Sequence, residues 1–252
     1  MNELELLADL HRHNERQGPG GQAETRLALQ LAGLCGRRDL AIADLGCGTG
    51  ASTLVLAEAL DAQIVAADFL EPFLDILKAR ALEAGLAERI TPRHASMEAL
   101  DFAPESLDAI WSEGAIYNIG FARGVREWRR FLKPDGVLAV SELTWLTEQR
   151  PAELDAFWRA QYPEVDTASA KLAVLERHGY SPLGYFVLPP HCWREHYYRP
   201  LQERFPTFLE AHGNSPAAQA IIEEQQQEIE LYERYGEYFG YGFYIARKVA
   251  EG

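Results

Sequence analysis

The stretch that decides the fold is Ala41-Ile-Ala-Asp-Leu-Gly-Cys-Gly-Thr-Gly50. Its first half is almost entirely apolar, as expected of a short buried strand, and its second half carries glycine at every other position. Gly46, Gly48 and Gly50 allow a tight turn that a ligand can approach closely. Residues 51–60 are rich in Ala and Leu and are typical of a helix. A strand, a glycine turn and a helix in this order predict a cofactor site of the nucleotide-binding type.

Short apolar segments alternate with helical segments along the chain that contains this stretch. Strands are predicted at residues 40–45, 63–67, about 90–93, 107–111 and 136–142, and helices at 51–60, 71–84, 96–100 and 121–132. This alternation predicts an α/β fold in which a parallel sheet carries helices on both faces. Further strands at 183–188 and 241–249 complete a Rossmann-like sheet of seven strands.

We expect one domain over residues 1–252, built from three parts. Residues 1–36 form an N-terminal helical segment, with a loop at Arg16–Gly21 and a helix at 22–35 whose Leu27, Leu31 and Leu34 share one side. Residues 37–145 form the cofactor-binding half, and 146–252 the substrate-side half. Residues 191–236 are predicted to be a helical insertion that lies over the active site.

The composition restricts the partners of the chain. The 252 residues include 47% hydrophobic and 25% charged residues, which are globular values. The net charge of −14 and the absence of a Lys/Arg run argue against a nucleic-acid partner. The acidic N-terminus and the lack of a long apolar run predict no signal peptide and no membrane span. A cytoplasmic monomer or homodimer is therefore expected.

The spacing of cysteine and histidine predicts no metal site. Cys35, Cys47 and Cys192 are far apart in the sequence, without the spacing of a zinc site or a disulfide framework. His11 and His13 are two residues apart and cannot share one face of a helix.

Two carboxylates near the glycine turn bear on the choice of cofactor. Asp44 lies two residues before Gly46, where a carboxylate would repel a pyrophosphate but suit a positive amino group and a sulfonium. Asp68 ends the second strand, at a spacing that suits hydrogen bonds from ribose hydroxyls. Because Asp68 fits NAD equally well, an NAD-dependent oxidoreductase stays an alternative, against which Asp44 argues.

With the later motifs included, the chain resembles the class I S-adenosylmethionine-dependent methyltransferases, in particular the ubiquinone/menaquinone-type group. The resemblance covers about residues 40–145 and rests on four motifs: Asp44-Leu-Gly-Cys-Gly-Thr-Gly50, Asp68, Leu107-Asp-Ala-Ile-Trp111 and Leu132-Lys-Pro-Asp-Gly136. It implies an antiparallel last strand, S-adenosylmethionine as cofactor, and methyl transfer to a small molecule by in-line displacement. A non-catalytic adenosine-cofactor-binding protein of the same fold is an alternative.

The resemblance also implies a set of cofactor-binding residues. The glycine turn would pack against the methionine part, Asp68 would bind the ribose and Phe69 would flank the adenine. Ser96 stands where many relatives carry Asp. The whole set is Asp44, Gly46, Cys47, Gly48, Gly50, Asp68, Phe69, Ser96, Met97 and Glu113.

No residue is marked by the sequence as catalytic. Displacement from a sulfonium mainly requires that the acceptor be positioned and shielded from water, and a base is needed only if the acceptor must lose a proton. The candidates are Glu113, Tyr117, His191 and His196, although the two histidines fit aromatic packing equally well. The aromatic segment 185–198 favours a small apolar or aromatic acceptor. O-, N-, C- and S-methylation all stay open.

Overall fold

A sheet of eight strands forms the centre of the protein, whose computed structural model describes residues 2–249. Met1 and residues 250–252, which the predicted domain includes, lie outside the described residues. The strands are Leu40–Leu45 (β1), Ala62–Asp68 (β2), Ile90–His94 (β3), Leu107–Glu113 (β4), Leu132–Trp145 (β5), Asp166–Thr167 (β6), Tyr180–Val187 (β7) and Phe239–Lys248 (β8).

Ten α-helices are described within residues 2–249. They are Glu3–His11 (α1), Gln22–Leu31 (α2), Ala51–Ala59 (α3), Glu71–Glu83 (α4), Phe121–Trp128 (α5), Ala152–Gln161 (α6), Ala168–Arg177 (α7), Pro190–Trp193 (α8), Arg199–Ala211 (α9) and Pro216–Tyr235 (α10). A π-helical turn, Arg194–Tyr198, joins α8 to α9.

The strand order is β3-β2-β1-β4-β5-β8-β7. Strands β1 to β5 pair in parallel, and β8 runs antiparallel to both of its neighbours. The predicted Rossmann-like, mostly parallel sheet with an antiparallel last strand is thus confirmed. It has eight strands rather than seven because the two residues of β6 pair with the end of β5. The direction of winding reverses between β1 and β4, which is where open α/β sheets bind ligands.

The structure differs from the prediction after β3 and around the start of β5. Residues 96–100 are not helical: one turn follows β3, closed by a hydrogen bond from Ala99 N to Ser96 O at 3.1 Å. Strand β5 begins at Leu132 rather than at residue 136, because Lys133–Gly136 form a bulge in its pairing with β4. The helix predicted at 121–132 accordingly ends at Trp128 and continues only as a 3₁₀ turn.

The N-terminal segment and the helical insertion meet each other. Helix α1 packs against α9 and α10, and His212 Nε2 lies 2.9 Å from Asp9 Oδ2. Residues of α1 and α10 line the same cavity as the glycine turn after β1. The two segments therefore cover the end of the sheet at which β1 and β4 finish.

The longest helix, α10, has 20 residues and a polar sequence between Glu223 and Glu230. Within residues 2–249, no helix is long and apolar enough to cross a membrane.

Candidate functional site

The glycine turn after β1 lies in the left-handed backbone region at three positions. The φ angles are +70° at Gly46, +56° at Gly48 and +89° at Gly50, values that other residues rarely adopt. Close packing also excludes side chains. A Cβ on Gly46 would lie 2.3 Å from Ala115 Cβ, and one on Gly50 would lie 2.2 Å from Leu77 Cδ1. The turn therefore requires glycine for both reasons.

Asp68, at the end of β2, holds the turn from the other side. Its Oδ2 accepts a hydrogen bond from Gly48 N at 2.8 Å, and its Oδ1 accepts one from Leu70 N at 2.9 Å. Burial raises the pKa of Asp68, and these hydrogen bonds oppose the rise. Because each carboxylate oxygen can accept a second hydrogen bond, Asp68 can still bind hydroxyl groups in the cavity that it lines.

A cavity of about 570 Å³ opens in front of the turn, within the range of small-molecule sites. Most of the predicted cofactor-binding residues line it. Phe69 is 60% exposed, and the turn after β3 contributes a hydroxyl and a thioether. The predicted residues in the lining are Gly46, Cys47, Gly48, Asp68, Phe69, Ser96, Met97 and Glu113.

Asp44 and Gly50 lie behind the turn, outside this lining. Asp44 is fully buried, and its Oδ2 accepts hydrogen bonds from Ser52 Oγ at 2.9 Å and from Thr53 Oγ1 at 2.7 Å. Burial raises the pKa of Asp44 to about 7. Its Oδ1 has no partner among the described residues. Asp44 thus ties β1 to α3, and Oδ1 is the atom that a bound amino group would have to reach.

A buried ion pair fixes the loop Arg16–Gly21 beside the cavity. Arg16 Nη1 donates to Glu113 Oε2 at 2.8 Å, and both side chains are 8% exposed. The other oxygen, Glu113 Oε1, accepts hydrogen bonds from Thr25 Oγ1 at 2.7 Å and from Trp111 Nε1 at 2.9 Å. Glu113 lines the cavity, but both of its oxygens are already engaged. Its first role in the structure is to anchor the loop.

Gln17 fastens the same loop to the glycine turn. Its Oε1 accepts a hydrogen bond from Thr49 N at 2.9 Å, and its Nε2 donates to Thr49 Oγ1 at 3.0 Å. A Cβ on Gly48 would lie 2.3 Å from Gln17 Oε1. Sequence reasoning missed Arg16 and Gln17 because a loop of Gly and Pro has no periodic pattern and their partners are distant in sequence.

The other end of the cavity is lined by α1, by the insertion and by the 3₁₀ turn after β4, and we call it the acceptor end. It is formed by His11, Tyr117, Tyr197, Gln225 and Glu228. The ring of His11 stacks on that of Tyr197, with centroids 6.1 Å apart and an angle of 16° between the planes. Burial lowers the pKa of His11 to about 4, so this imidazole is neutral at physiological pH. Its Nδ1 has no partner among the described residues.

Glu228 supplies a carboxyl group to the acceptor end. Its Oε1 accepts a hydrogen bond from Tyr198 Oη at 2.9 Å, and burial raises the pKa of Glu228 to about 7. In the sequence, Glu228 ends a polar run that is typical of a solvated helix face. The missed signal is the spacing of Gln225 and Glu228, three residues apart on α10, which places both on the face that lines the cavity.

The four predicted catalytic candidates separate into two pairs. Glu113 and Tyr117 line the cavity, whereas His191 and His196 lie outside its lining. His191 Nε2 is 3.2 Å from Glu24 Oε1, and His196 Nδ1 is 2.7 Å from the carbonyl oxygen of Gly20. Aromatic residues around them, such as Trp193, pack into the core.

Comparison with known proteins identifies relatives of the cofactor-binding half. A sequence model of the methyltransferase domain family matches residues 42–136. The 27-O-demethylrifamycin SV methyltransferase of Amycolatopsis mediterranei is 28% identical over 137 residues, 54% of this chain and 50% of that protein. The ubiquinone/menaquinone biosynthesis C-methyltransferase UbiE of Geotalea uraniireducens is 32% identical over 106 residues, 41% of this chain and 45% of that protein. The chain spans about half the length of the curated relatives it matches.

A solved structure resembles nearly the whole chain. The S-adenosylmethionine-dependent methyltransferase from Geobacter sulfurreducens, crystallised in complex with S-adenosyl-L-homocysteine, superposes with a TM-score of 0.83. The match covers 96% of this chain and 97% of that one at 20% sequence identity. The shared fold therefore extends through the N-terminal segment and the insertion, beyond the region that the sequence relatives match.

Proposed function

Because the chain belongs to the class I S-adenosylmethionine-dependent methyltransferases, we propose that it transfers the methyl group of this cofactor to a small molecule. The observation that carries the proposal is the continuity of the cavity. One space of about 570 Å³ joins the glycine turn to the aromatic and ionisable side chains of α1 and α10. A cofactor and an acceptor in this space would be held together and shielded from water, which is what displacement at a sulfonium needs.

The residues around the turn fit S-adenosylmethionine. Gly46 and Gly48 would bring their backbone against the methionine part, and the unpartnered Oδ1 of Asp44 suits its amino group. Asp68 would accept hydrogen bonds from the ribose hydroxyls. Phe69 would pack on the adenine, with Ser96 and Met97 at its edge. When bound, the cofactor supplies an electrophilic methyl group on a positively charged sulfur.

The acceptor is proposed to be a small, apolar or aromatic metabolite with one hydroxyl or amine group. The rings of Tyr117 and Tyr197 and the side chains of Leu4 and Leu7 offer an apolar surface. The Glu228 carboxylate is a hydrogen-bond acceptor at this end, and so is His11 Nδ1 in the tautomer that carries its proton on Nε2. The net charge of −14 supports such an acceptor over a nucleic acid. A cytoplasmic location and a monomeric or dimeric state remain predictions.

Glu228 is proposed to take the proton that the acceptor loses. A general base acts in its ionised form, and the pKa of Glu228 is raised to about 7. We therefore expect kcat/KM to rise with pH through about 7. In Glu228→Gln this rise of kcat/KM with pH, the acidic limb of the pH profile, should disappear while S-adenosylmethionine binding stays unchanged. A limb that persists in Glu228→Gln would assign the proton transfer to another group.

The proposal is tested by binding and by turnover. Titration calorimetry should show that the protein binds S-adenosylmethionine and S-adenosylhomocysteine, and not NAD. Incubation with methyl-labelled cofactor and fractionated metabolite extracts should then yield a labelled product only when the protein is present. Binding without transfer to any fraction would favour the non-catalytic alternative, and binding of NAD alone would contradict the proposal.

One sequence feature relevant to NAD enzymes lies away from the cavity. The chain contains a single Tyr-x-x-x-Lys sequence, Tyr244 to Lys248. Both residues are in β8 and buried: Tyr244 Oη lies 2.7 Å from Thr144 Oγ1, and Lys248 Nζ donates to the carbonyl oxygen of Leu132 at 2.7 Å. Their positions support a packing role and not hydride transfer.

A further inference from the structure

A cluster of metal-binding side chain types lies outside the cavity, where the insertion meets α2 and the loop Arg16–Gly21. His191, Cys192 and His196 each offer one ligand atom, and these three atoms lie within 4.8 Å of one another. The three residues have no part in the function proposed above.

The π-helical turn explains why the two histidines come together. In a regular α-helix, residues five apart are rotated by about 140° about the axis and diverge. The wider turn at Arg194–Tyr198 reduces this rotation, and the rings of His191 and His196 approach to 5.0 Å between centroids. π-Helical turns of this kind are rare in proteins, and those that occur are often found at functional sites.

Each of the two histidine rings is oriented by a contact through one of its nitrogens. His196 Nδ1 bonds to the carbonyl oxygen of Gly20 at 2.7 Å, and His191 Nε2 lies 3.2 Å from Glu24 Oε1. A backbone carbonyl or a carboxylate on one ring nitrogen is the usual support of a histidine that binds a metal through the other. One nitrogen of each ring thus stays available for an ion.

Glu24 provides an independent observation that points to a ligand. The residue is only 8% exposed, and its Oε2 accepts no hydrogen bond from a nitrogen or oxygen donor among residues 2–249, although the carboxylate interacts with the Cys192 thiol. A buried carboxylate with so few partners is costly unless another group binds it. A Cβ on Gly21 would lie 2.2 Å from Glu24 Oε2 and 3.1 Å from His196 Nδ1. Glycine at this position therefore keeps the carboxylate and the imidazole close to each other.

We propose that His191, Cys192 and His196 bind a divalent transition-metal ion of the zinc type, with Glu24 as the fourth ligand or as the support of His191. Imidazole and thiolate donors select such ions over Mg²⁺ or Ca²⁺. Donor atoms around tetrahedral zinc are about 3.5 Å apart, so this cluster must contract by about 1 Å. Rotation of the partly exposed His191 side chain can supply part of that movement.

Binding has a defined proton balance and a structural consequence. The Cys192 thiol loses its proton to solvent as the metal–sulfur bond forms, and both imidazoles bind in the neutral form. The ion would link α2, through Glu24, to the π-helical turn of the insertion. It would therefore clamp the N-terminal segment against the helices that cover the cavity.

Cobalt spectroscopy tests the site on the full chain. After dialysis against a chelator, addition of Co²⁺ should produce visible bands of a four-coordinate ion and a near-ultraviolet band from thiolate to cobalt, and Zn²⁺ should abolish both. Absence of both bands in folded protein would overturn the proposal. The readout is separate from S-adenosylmethionine binding, so failure here leaves the proposed function untouched.

Variants identify the ligands. Cys192→Ser should lose the thiolate band, whereas Cys35→Ser, which changes an exposed cysteine, should keep it. His196→Gln alters an exposed side chain and should fold normally, yet weaken Zn²⁺ binding by more than the 10–100-fold typical of an outer-shell change. A thiolate band that survives Cys192→Ser, or unchanged Zn²⁺ affinity in folded His196→Gln, would contradict the assignment.

Discussion

Arg16 and Glu113 form a buried ion pair across 97 residues of sequence, with 2.8 Å between Nη1 and Oε2. The pair joins the N-terminal loop to the end of β4, and both residues line the cavity. Removal of one partner from a buried pair leaves an uncompensated charge. The loop that covers the site is therefore coupled to the stability of the sheet.

Replacement of Arg16 tests this coupling. We expect Arg16→Met to lower the free energy of unfolding by about 3–5 kcal/mol, because Glu113 would be left buried without its cationic partner. Urea denaturation measures the change. The matched control is Arg26→Met, whose pair with Glu58 at 3.0 Å is exposed, with 44% and 50% of the side chains accessible, and should cost about 0–1 kcal/mol. Equal losses in the two variants would refute the coupling.

A second prediction separates backbone strain from packing in the glycine turn. Gly46 and Gly33 have nearly the same φ, +70° and +65°, but a Cβ on Gly33 would meet nothing within 4 Å. Gly33→Ala should therefore cost only about 1–2 kcal/mol of backbone strain. Gly46→Ala should cost more and abolish S-adenosylmethionine binding, since its Cβ would lie 2.3 Å from Ala115 Cβ. Thermal denaturation and calorimetry would distinguish the two, and normal cofactor affinity in Gly46→Ala would exclude a role for the turn.

A third prediction concerns Asp68. Asp68→Ala should weaken S-adenosylmethionine binding by roughly 1.5–3 kcal/mol, the scale of hydrogen bonds to a charged group, or about 10–150-fold in Kd. Calorimetry gives the affinity, and circular dichroism shows whether the turn still folds without the bonds to Gly48 N and Leu70 N. Asp75→Ala removes an exposed carboxylate that pairs with Lys78 and should leave binding unchanged. Unchanged affinity in folded Asp68→Ala would remove the ribose assignment.

The elements that the sequence predicts best are those with a local pattern. Strand β1 and the glycine turn are readable because apolar residues and glycines at fixed spacing have few alternative structures. The buried face of α2 does not coincide with the side that carries Leu27 and Leu31. Leu27 and Leu31 are 40% and 36% exposed, whereas Ala28 and Leu29 are buried, since the neighbours of this helix, and not its own periodicity, decide which face is covered.

The residues of the site divide in the same way, into those that a local sequence pattern predicts and those that only tertiary packing brings to the cavity. Asp68 and the glycines follow from motifs within one strand–turn–helix unit. His11 and Glu228 reach the cavity because α1 packs against α9 and α10, and Arg16 does so because it pairs with Glu113. No pattern within these segments records those contacts. The grouping of His191 with His196 likewise depends on a π-helical turn, which the spacing of residues in the sequence does not reveal.

A last prediction follows from Glu142, whose side chain is buried at the end of β5. Burial raises the pKa of Glu142 from its ordinary 4.5 to about 7, and its Oε2 has no hydrogen-bond partner among the described residues. Below pH 4.5, folded and unfolded chains both hold the proton. Between pH 4.5 and about 7, only the folded chain holds it, so the free energy of unfolding falls as the pH rises. Above about pH 7 neither chain holds the proton, so Glu142 lowers the free energy of unfolding no further.

Glu142→Gln should remove this dependence because glutamine has no proton to lose. The variant should be more stable than the parent near pH 8 by up to about 3 kcal/mol, and this difference should shrink by the same amount towards pH 4. Urea denaturation at a series of pH values measures it. Asp44 and Glu228 have pKa values raised to about 7 as well. Because both residues are present in the parent and in the variant, each protein should lose stability with pH on their account, and only the difference between the two proteins reports on Glu142. Glu148→Gln, at an exposed position, should follow the parent throughout. A difference between Glu142→Gln and the parent that is constant with pH would show that the pKa of Glu142 is the same in the folded and the unfolded chain.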